Sequence, residues 1–303
     1  MSTSFNTIVD DLKSSFKLAK DNILSYFLAN LGMLIAVALL LGLVIIPIGL
    51  VAVLAIGTSH AAWEAIGLGL TAWAESNPWA VGGVAILFVI PLVALFLTVV
   101  GSIYGMSKDL IAHGETKAER AFSWFRHKFL TFAGAGVILT VIIILPPAVV
   151  WGSVSILMGY TIPVSLMPLL SVSTFVWVFL TVGLCAMVFP AITYGKGVQD
   201  GFKESFQLAR ERFDHVFGLL SAIVILGVVS YGPVIIWGLS LPIGGVLPPF
   251  DVVSISIMVW TVLVTFLWLL VLLPMTIIAF TKVYAEMTGG QVAAQKPLPI
   301  PLV

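Results

Sequence analysis

The sequence predicts an all-α integral membrane protein with six transmembrane helices. Of its 303 residues, 60% are hydrophobic and 9% are charged, whereas soluble domains average about 45–50% apolar and about 25% charged residues. This small number of charges cannot solvate a globule of this size, and we therefore expect lipid to be the main solvent. Long charge-free runs alternate with short charged segments. Because about 20 apolar residues in a helix cross the hydrocarbon core, each run provides one or two spans.

The spans can be placed in order along the charge-free runs. The run 129–195 is long enough for two spans, and Pro163 and Pro168 supply a turn between them. The connection 57–79 is apolar but too short for a span, so we expect a helix in the headgroup layer. A transmembrane β-barrel is excluded because its alternating strands never give apolar runs this long. The predicted spans are about 28–56, 80–107, 129–158, 167–195, 216–240 and 253–281.

The positive charges predict the orientation of the chain. All 14 Lys and Arg residues precede the first span, follow the sixth, or lie in the second and fourth connections. The other connections carry only Glu64, Glu75 and Asp251 as charged residues. Positive charge resists translocation, so the positively charged side is predicted to be cytoplasmic, with both termini inside. We therefore expect a multi-pass protein of the cell membrane.

Three charged segments with helical periodicity precede the first, third and fifth spans. We call residues 5–27, 118–132 and 201–217 the first, second and third inner segments. In each of them, phenylalanines and small apolar residues recur three or four positions apart, and charged residues fill the other faces. This spacing predicts an amphipathic helix that lies on the cytoplasmic leaflet and leads into a span.

The inner segments also match one another, which predicts an internal repeat. Residues 15–23, 121–129 and 205–213 align without gaps, and the offset between the last two also relates Pro190 to Pro274. We predict one membrane domain made of three units, each an amphipathic helix followed by a two-helix hairpin. The domain covers 1–295, with repeats at about 1–110, 111–200 and 201–290, and a Pro-rich cytoplasmic tail covers 296–303.

This arrangement resembles a loose group of polytopic membrane families. The group includes the membrane domain attached to some glycerophosphodiester phosphodiesterases and the YciC-type proteins of enterobacteria. The resemblance is carried by 15–23, 121–129 and 205–213, each of which enters a hydrophobic hairpin, and it covers nearly the whole chain. It implies a six-span prokaryotic membrane protein without an established activity. The chain has no phosphodiesterase catalytic domain, so that activity is not carried over.

The sequence contains no pattern that indicates catalysis. The predicted span interiors hold no Asp, Glu, Lys, Arg or His, which weighs against a proton relay or a voltage sensor. Ser59, His60 and Glu64 suggest a nucleophile, a base and an orienting carboxylate, but no nucleophile elbow or HExxH motif accompanies them. An interfacial polar cluster is the favoured interpretation. We expect no enzyme activity, cofactor, metal site or nucleic-acid partner. Solvated or headgroup-facing side chains are expected for His113, His127 and His215.

Two functions stay open, and a membrane enzyme is a third, which would need polar residues to converge near His60, Glu64 and Asp251. The favoured one is a non-catalytic accessory subunit or membrane-organising scaffold that contacts membrane lipids and either other membrane-protein subunits or a second copy of itself. The alternative is a permease or lipid-handling transporter with proline-kinked helices around a central pathway. The predicted lipid or partner contacts are Phe16, Lys17, Lys20, Phe122, Phe125, Arg126, Lys128, Phe206, Arg210, Arg212 and Phe213. The candidate hinges are Pro47, Pro91, Pro146, Pro190, Pro233 and Pro274.

Overall fold

A computed structural model describes residues 5–159, 162–240 and 252–289 of the chain. The described residues are helical apart from short connections, which confirms the all-α fold class. Six of the described helical stretches are long and apolar enough to cross a membrane, in agreement with the predicted number of spans. Asp251 and the predicted tail 296–303 lie outside the described residues.

The helices follow one another with few intervening residues. In chain order they are α1 (Phe5–Asp21), α2 (Ile23–Ile56), α3 (His60–Ser76), α4 (Pro78–His113), α5 (Ala118–Leu157), α6 (Met167–Cys185), α7 (Val188–Thr193), α8 (Val198–Glu211), α9 (Phe213–Ser240), α10 (Val252–Leu267) and α11 (Leu273–Met287). A π-helical turn, Trp268–Leu272, joins α10 to α11. The candidate spans are α2, α4, α5, α6 with α7, α9, and α10 with α11.

Several helices run past the predicted spans into the charged segments. α4 continues to His113, α5 already begins at Ala118, and α11 continues to Met287. Hydropathy marks the residues that suit hydrocarbon, whereas a helix continues for as long as its backbone hydrogen bonds do. Helix α3 occupies most of the connection 57–79, and its predicted position in the headgroup layer stays a prediction.

The inner segments do not all have the same helical structure. The first and third form the separate helices α1 and α8, and a one-residue break at Asn22 or Arg212 precedes the next helix. These two residues are equivalent in the alignment of the segments. The second inner segment is instead the beginning of α5, a continuous helix of 40 residues. At this segment the charged stretch and the following candidate span therefore form one helix.

The chain forms two compact units. The first unit contains Met1–Asn30, Gly101–His127 and Gly183–Val303, and the second contains Leu31–Val100 and Lys128–Val182. Both units are assembled from stretches that are far apart in sequence. The single membrane domain and its three repeats stay predictions.

In the first unit, α1, α7, α8, α9 and α11 pack together, and residues of α2 and α4 also contribute to the core. α1 lies against α11 and α9, while α8 lies against α7 and α9. The interior is filled by aliphatic side chains and two tyrosines, as close packing requires. The largest fully buried side chains of this unit are Tyr26, Ile103, Met106, Leu110, Met187, Ile192, Leu219, Ile277, Ile278 and Tyr284.

The second unit packs closely between α4 and α5. A Cβ atom added to Gly136 would lie 2.9 Å from the carbonyl oxygen of Ala94, so only glycine permits this approach. Trp151 Nε1 donates a hydrogen bond to Thr174 Oγ1 at 2.8 Å, which joins α5 to α6. Large apolar side chains such as Leu43 are exposed on this unit. Such a surface suits hydrocarbon surroundings.

The candidate hinge prolines occur in two kinds of structure. Pro190 is the third residue of α7, after a two-residue break that separates α7 from α6, and Pro274 is the second residue of α11, after the π-helical turn. Both irregularities lie about one helical turn before the proline, where its ring displaces the carbonyl of the fourth preceding residue. Asn30 Nδ2 donates to the carbonyl of Leu269 in the π-helical turn at 3.3 Å. The other candidate hinges lie inside helices assigned as continuous: Pro47, Pro91, Pro146 and Pro233.

Candidate interaction surface of the inner segments

Helix α1 turns an acidic side chain toward the protein interior. Asp11 is only 5% exposed. Its Oδ1 accepts a hydrogen bond from Lys282 Nζ at 3.0 Å, and its Oδ2 accepts one from His215 Nε2 at 3.0 Å. Lys282 Nζ also donates to Ser14 Oγ at 2.8 Å. Because an unpaired buried carboxylate is unfavourable, these two donors permit the burial and join α1 to α9 and α11.

His215 is therefore not the solvated residue that the sequence suggested. Its side chain is 13% exposed and pairs with Asp11. The prediction was wrong because its polar sequence neighbours indicated a solvated site, whereas Asp11 precedes it by 204 residues. His113 and His127 are exposed, and Nδ1 of each lies within hydrogen-bond distance of a carbonyl in its own helix.

A second polar cluster holds α8 against the end of α11. Glu204 Oε1 accepts a hydrogen bond from Tyr284 Oη at 2.8 Å, and Glu204 Oε2 lies 3.0 Å from Lys196 Nζ. The ring of Tyr284 packs on that of Tyr194, with centroids 5.2 Å apart. Burial raises the pKa of the Tyr194 phenol above its ordinary value, which keeps the phenol neutral.

A third cluster lies at the end of α4. Lys108 Nζ donates to the carbonyl of Thr193 at 3.0 Å. The same ammonium lies 5.6 Å from the ring centroid of Trp124 and 4.8 Å from that of Tyr194, within cation–π distance of both. Trp124 Nε1 donates to Asp109 Oδ2 at 3.1 Å, so the indole is held by its ring face and by its N–H group.

The three clusters share one arrangement. In each, a lysine near the C-terminal end of a candidate span contacts an inner segment: α4 contacts the second, the residues after α7 contact the third, and α11 contacts the first. The order of contacts is therefore cyclic within the first unit. The pairs are Lys108 with Trp124, Lys196 with Glu204, and Lys282 with Asp11.

The predicted contact phenylalanines lie on the surface of the protein. Phe16, Phe122 and Phe206 are 42%, 40% and 38% exposed. Phe213 is also exposed, and Phe125 is half-buried. On α1, the exposure of Phe16 and the burial of Asp11 are the opposite of the usual distribution for a helix in water, which buries aromatic rings and solvates carboxylates.

A small residue precedes each of these three exposed phenylalanines and is fully buried: Ser15, Ala121 and Ser205. Ser205 Oγ accepts a hydrogen bond from the Met187 N–H at 3.1 Å and donates to the Leu184 carbonyl at 2.6 Å. It therefore satisfies two backbone groups at the break between α6 and α7. Ser15 Oγ is buried without a hydrogen-bond partner among the described residues.

The predicted basic contacts are also accessible. Their interaction with lipid or with a partner stays a prediction. Lys17, Lys20, Arg126, Arg210 and Arg212 are exposed, and Lys128 is half-buried.

Ser59, His60 and Glu64 do not form a catalytic arrangement. His60 Nδ1 and Glu64 Oε2 are 3.8 Å apart, and both side chains are largely exposed. Ser59 is exposed as well, and its side chain makes no capping hydrogen bond to α3. An exposed pair of this kind contributes little to stability and gives no oriented base.

The spacing of four residues in the sequence is consistent with the buried face of α1. Ile8, Asp11, Ser15 and Ala19 are three or four residues apart and form the buried face of α1. The phenylalanines on another face of the helix gave the stronger hydrophobic pattern, so the sequence did not identify this polar face as the buried one.

The chain matches no protein-family model, no curated protein and no solved structure.

Proposed function

We propose that this chain is a non-catalytic membrane protein, an accessory subunit or membrane-organising scaffold, whose inner segments form a contact surface at the cytoplasmic leaflet. One observation carries the proposal: α1 buries Asp11 between Lys282 and His215 while it exposes Phe16. An aromatic exterior over a paired polar interior suits apolar surroundings, which lipid or another membrane subunit provides. Phe122 and Phe206 extend the same surface to the other two inner segments.

The charges support the proposed cytoplasmic location. Exposed lysines and arginines accompany the phenylalanines on all three inner segments. Basic residues beside apolar ones favour the anionic cytoplasmic leaflet, at about 1 kcal/mol for each Lys or Arg near the surface. Because positive charge also resists translocation, both considerations assign the inner segments to the same side.

A threefold repeat forms part of this proposal. Its supports are the equivalent helix breaks at Asn22 and Arg212, the cyclic order of the lysine contacts, and the three pairs of a buried small residue followed by an exposed phenylalanine. Three similar contact elements on one protein suit a scaffold, because each can bind the same kind of partner or lipid.

Close packing favours a scaffold over a transporter. In the first unit, a Cβ atom at Gly105 would overlap the ring of Trp124, and one at Gly183 would overlap the ring of Phe217. In the second unit, Gly136 gives a similarly close approach to Ala94. Glycine contacts of this kind hold membrane helices in fixed positions.

The lipid-handling transporter stays a second candidate because of one feature. The π-helical turn Trp268–Leu272 interrupts the last candidate span just before Pro274. π-Helical turns within α-helices are frequent at functional sites, and such a turn provides a place where a span can bend.

Site-specific photo-crosslinking in native membranes tests the scaffold proposal. The benzophenone amino acid p-benzoylphenylalanine replaces Phe122, Phe206 or Phe213 in turn, and Leu43, an exposed residue of the second unit, is the control. We expect the phenylalanine sites to give the same protein adduct, identified by mass spectrometry, and Leu43 to give only lipid adducts.

Extraction into polymer-bounded native nanodiscs provides a second measurement. The scaffold proposal predicts particles that hold more than one polypeptide chain. If the particles hold a single copy of this chain and nothing else, and the three sites give lipid adducts alone, the proposal is wrong.

A further inference from the structure

An apolar groove lies along α1 in the first unit. It has a volume of about 490 Å³, within the range of about 300–1,000 Å³ usual for ligand sites. Leu12 and Phe16 form the α1 side, Ile225 and Val229 belong to the α9 side, and Met275 lies on the α11 side. Ile225 and Val229 are exposed, so the groove opens on the lateral surface of a candidate span.

Among the described residues that line this groove, Lys13 carries the only charge. Lys13, Lys17 and Lys20 are spaced four and three residues apart, so they form one stripe on α1 beside Phe16. All three lysines are exposed. Opposing charge is limited at Lys13, because Asp11 is buried in its pairs with Lys282 and His215 and only Asp10 lies within one turn. Asp21 is exposed at the other end of the stripe, beside Lys17 and Lys20.

We propose that this groove binds one anionic glycerophospholipid of the bilayer. An acyl chain would lie along Ile225 and Val229, and the headgroup phosphate would accept hydrogen bonds from Lys13. The proposal specifies the lipid contact already proposed for the inner segments, and it requires α1 to lie at a membrane surface.

The shape and the charge together select this ligand. The groove runs along a transmembrane helix, so an acyl chain can enter from the bilayer without crossing water. An amphipathic peptide would need polar partners along its length, whereas Lys13 is the only polar residue that lines the groove. A zwitterionic lipid fills the same apolar volume but gains less from the lysine stripe, which gives the groove its preference for an anionic headgroup.

Native mass spectrometry of the full chain in detergent tests the proposal. The protein is titrated with dioleoyl phosphatidylglycerol or with dioleoyl phosphatidylcholine, and the fraction carrying one lipid is measured. We expect the anionic lipid to bind about fivefold more tightly, in line with one lysine near the headgroup. Lys13→Glu should remove this preference, whereas Lys203→Glu, the same charge change at an exposed position of α8, should retain it.

A second pair of variants tests the apolar part of the site. Ala222→Phe places a ring in the groove and should reduce the binding of both lipids, whereas Val228→Phe, on another face of α9, should leave it unchanged. Equal affinity for the two lipids in the wild type, or equal effects of Lys13→Glu and Lys203→Glu, would overturn the proposal. Neither result would alter the protein adducts expected from Phe122 and Phe206, so failure here is distinct from failure of the scaffold proposal.

Discussion

The carboxylate of Asp11 and the ammonium of Lys282 lie 3.0 Å apart, although 271 residues separate them in the chain. This pair joins the first described helix to the last, and His215 adds α9 to the same carboxylate. Because α1 would otherwise hold to the first unit mainly through apolar contacts, this carboxylate fixes which face of α1 turns inward. The exposure of Phe16 is a consequence of that choice.

Asp11→Asn should therefore destabilise the protein. An amide does not balance the positive charge of Lys282, and the loss of charged hydrogen bonds lowers the free energy of unfolding by about 1–3 kcal/mol. Unfolding in mixed micelles of dodecylmaltoside and SDS measures the change. The matched control is Asp10→Asn, next in sequence but exposed, which should change stability by less than about 0.5 kcal/mol. Equal effects of the two variants would contradict the role given to Asp11.

Ser205 and Ser15 occupy equivalent positions in the inner segments but should respond differently to replacement by alanine. Ser205→Ala leaves the Met187 N–H and the Leu184 carbonyl without their side-chain partner and should lower the free energy of unfolding by about 1–3 kcal/mol. Ser15→Ala removes a buried hydroxyl that has no partner among the described residues, so it should be neutral or stabilising. The same unfolding measurement compares them. If Ser15→Ala lowers the free energy of unfolding more than Ser205→Ala does, the hydrogen bonds of Ser205 do not contribute to stability as expected.

Gly105→Ala should destabilise the contact between α4 and the second inner segment. The added Cβ atom would overlap the ring of Trp124 and displace it from Lys108 and Asp109. Overpacking of this kind costs about 1–3 kcal/mol, and the change in Trp fluorescence on unfolding reports it. Gly83→Ala, in the same helix α4, is the control, since nothing lies within 4 Å of the Cβ atom that it would add. A tolerated Gly105→Ala would mean that the contact is loose.

Labelling of introduced cysteines in intact cells tests the predicted orientation. In a Cys185→Ala background, Glu75→Cys lies in the segment predicted to be outside, and Glu115→Cys lies in the segment predicted to be inside. Both positions are exposed on the protein. A membrane-impermeant maleimide should label Glu75→Cys in intact cells and Glu115→Cys only after lysis. The reverse pattern would place the inner segments outside the cell.

The spans could be predicted from the sequence because hydropathy is a local property. Each predicted span coincides with a described helix to within a few residues on the side without Lys or Arg, and α6 begins at Met167 as expected. The exposure of Phe16, Phe122 and Phe206 was also compatible with the predicted contact face. The helical spacing of these residues was enough to identify a face, although it did not show which face turns inward.

The polar clusters could not be predicted, because their partners are remote in the chain. The Tyr284–Glu204 hydrogen bond joins residues 80 positions apart, and the partners of Asp11 are more distant still. The local composition around His215 indicated a solvated residue, yet packing on α1 buried it. The second inner segment shows the same limit. Lys128 lies inside α5, whereas Asn22 and Arg212, at the equivalent positions of the alignment, lie in breaks between two helices.

In the proposed contact surface, the inner segments turn their phenylalanines toward apolar surroundings. Spin labels at Phe122→Cys and Phe206→Cys, in a Cys185→Ala background reconstituted in lipid nanodiscs, test it by power-saturation electron paramagnetic resonance. Glu211→Cys, exposed on another face of α8, is the control. We predict that the two phenylalanine sites are more accessible to oxygen than to a water-soluble nickel complex, and that Glu211→Cys shows the opposite preference. If all three labels are equally accessible to nickel, the phenylalanines face water and the proposed contact surface does not exist.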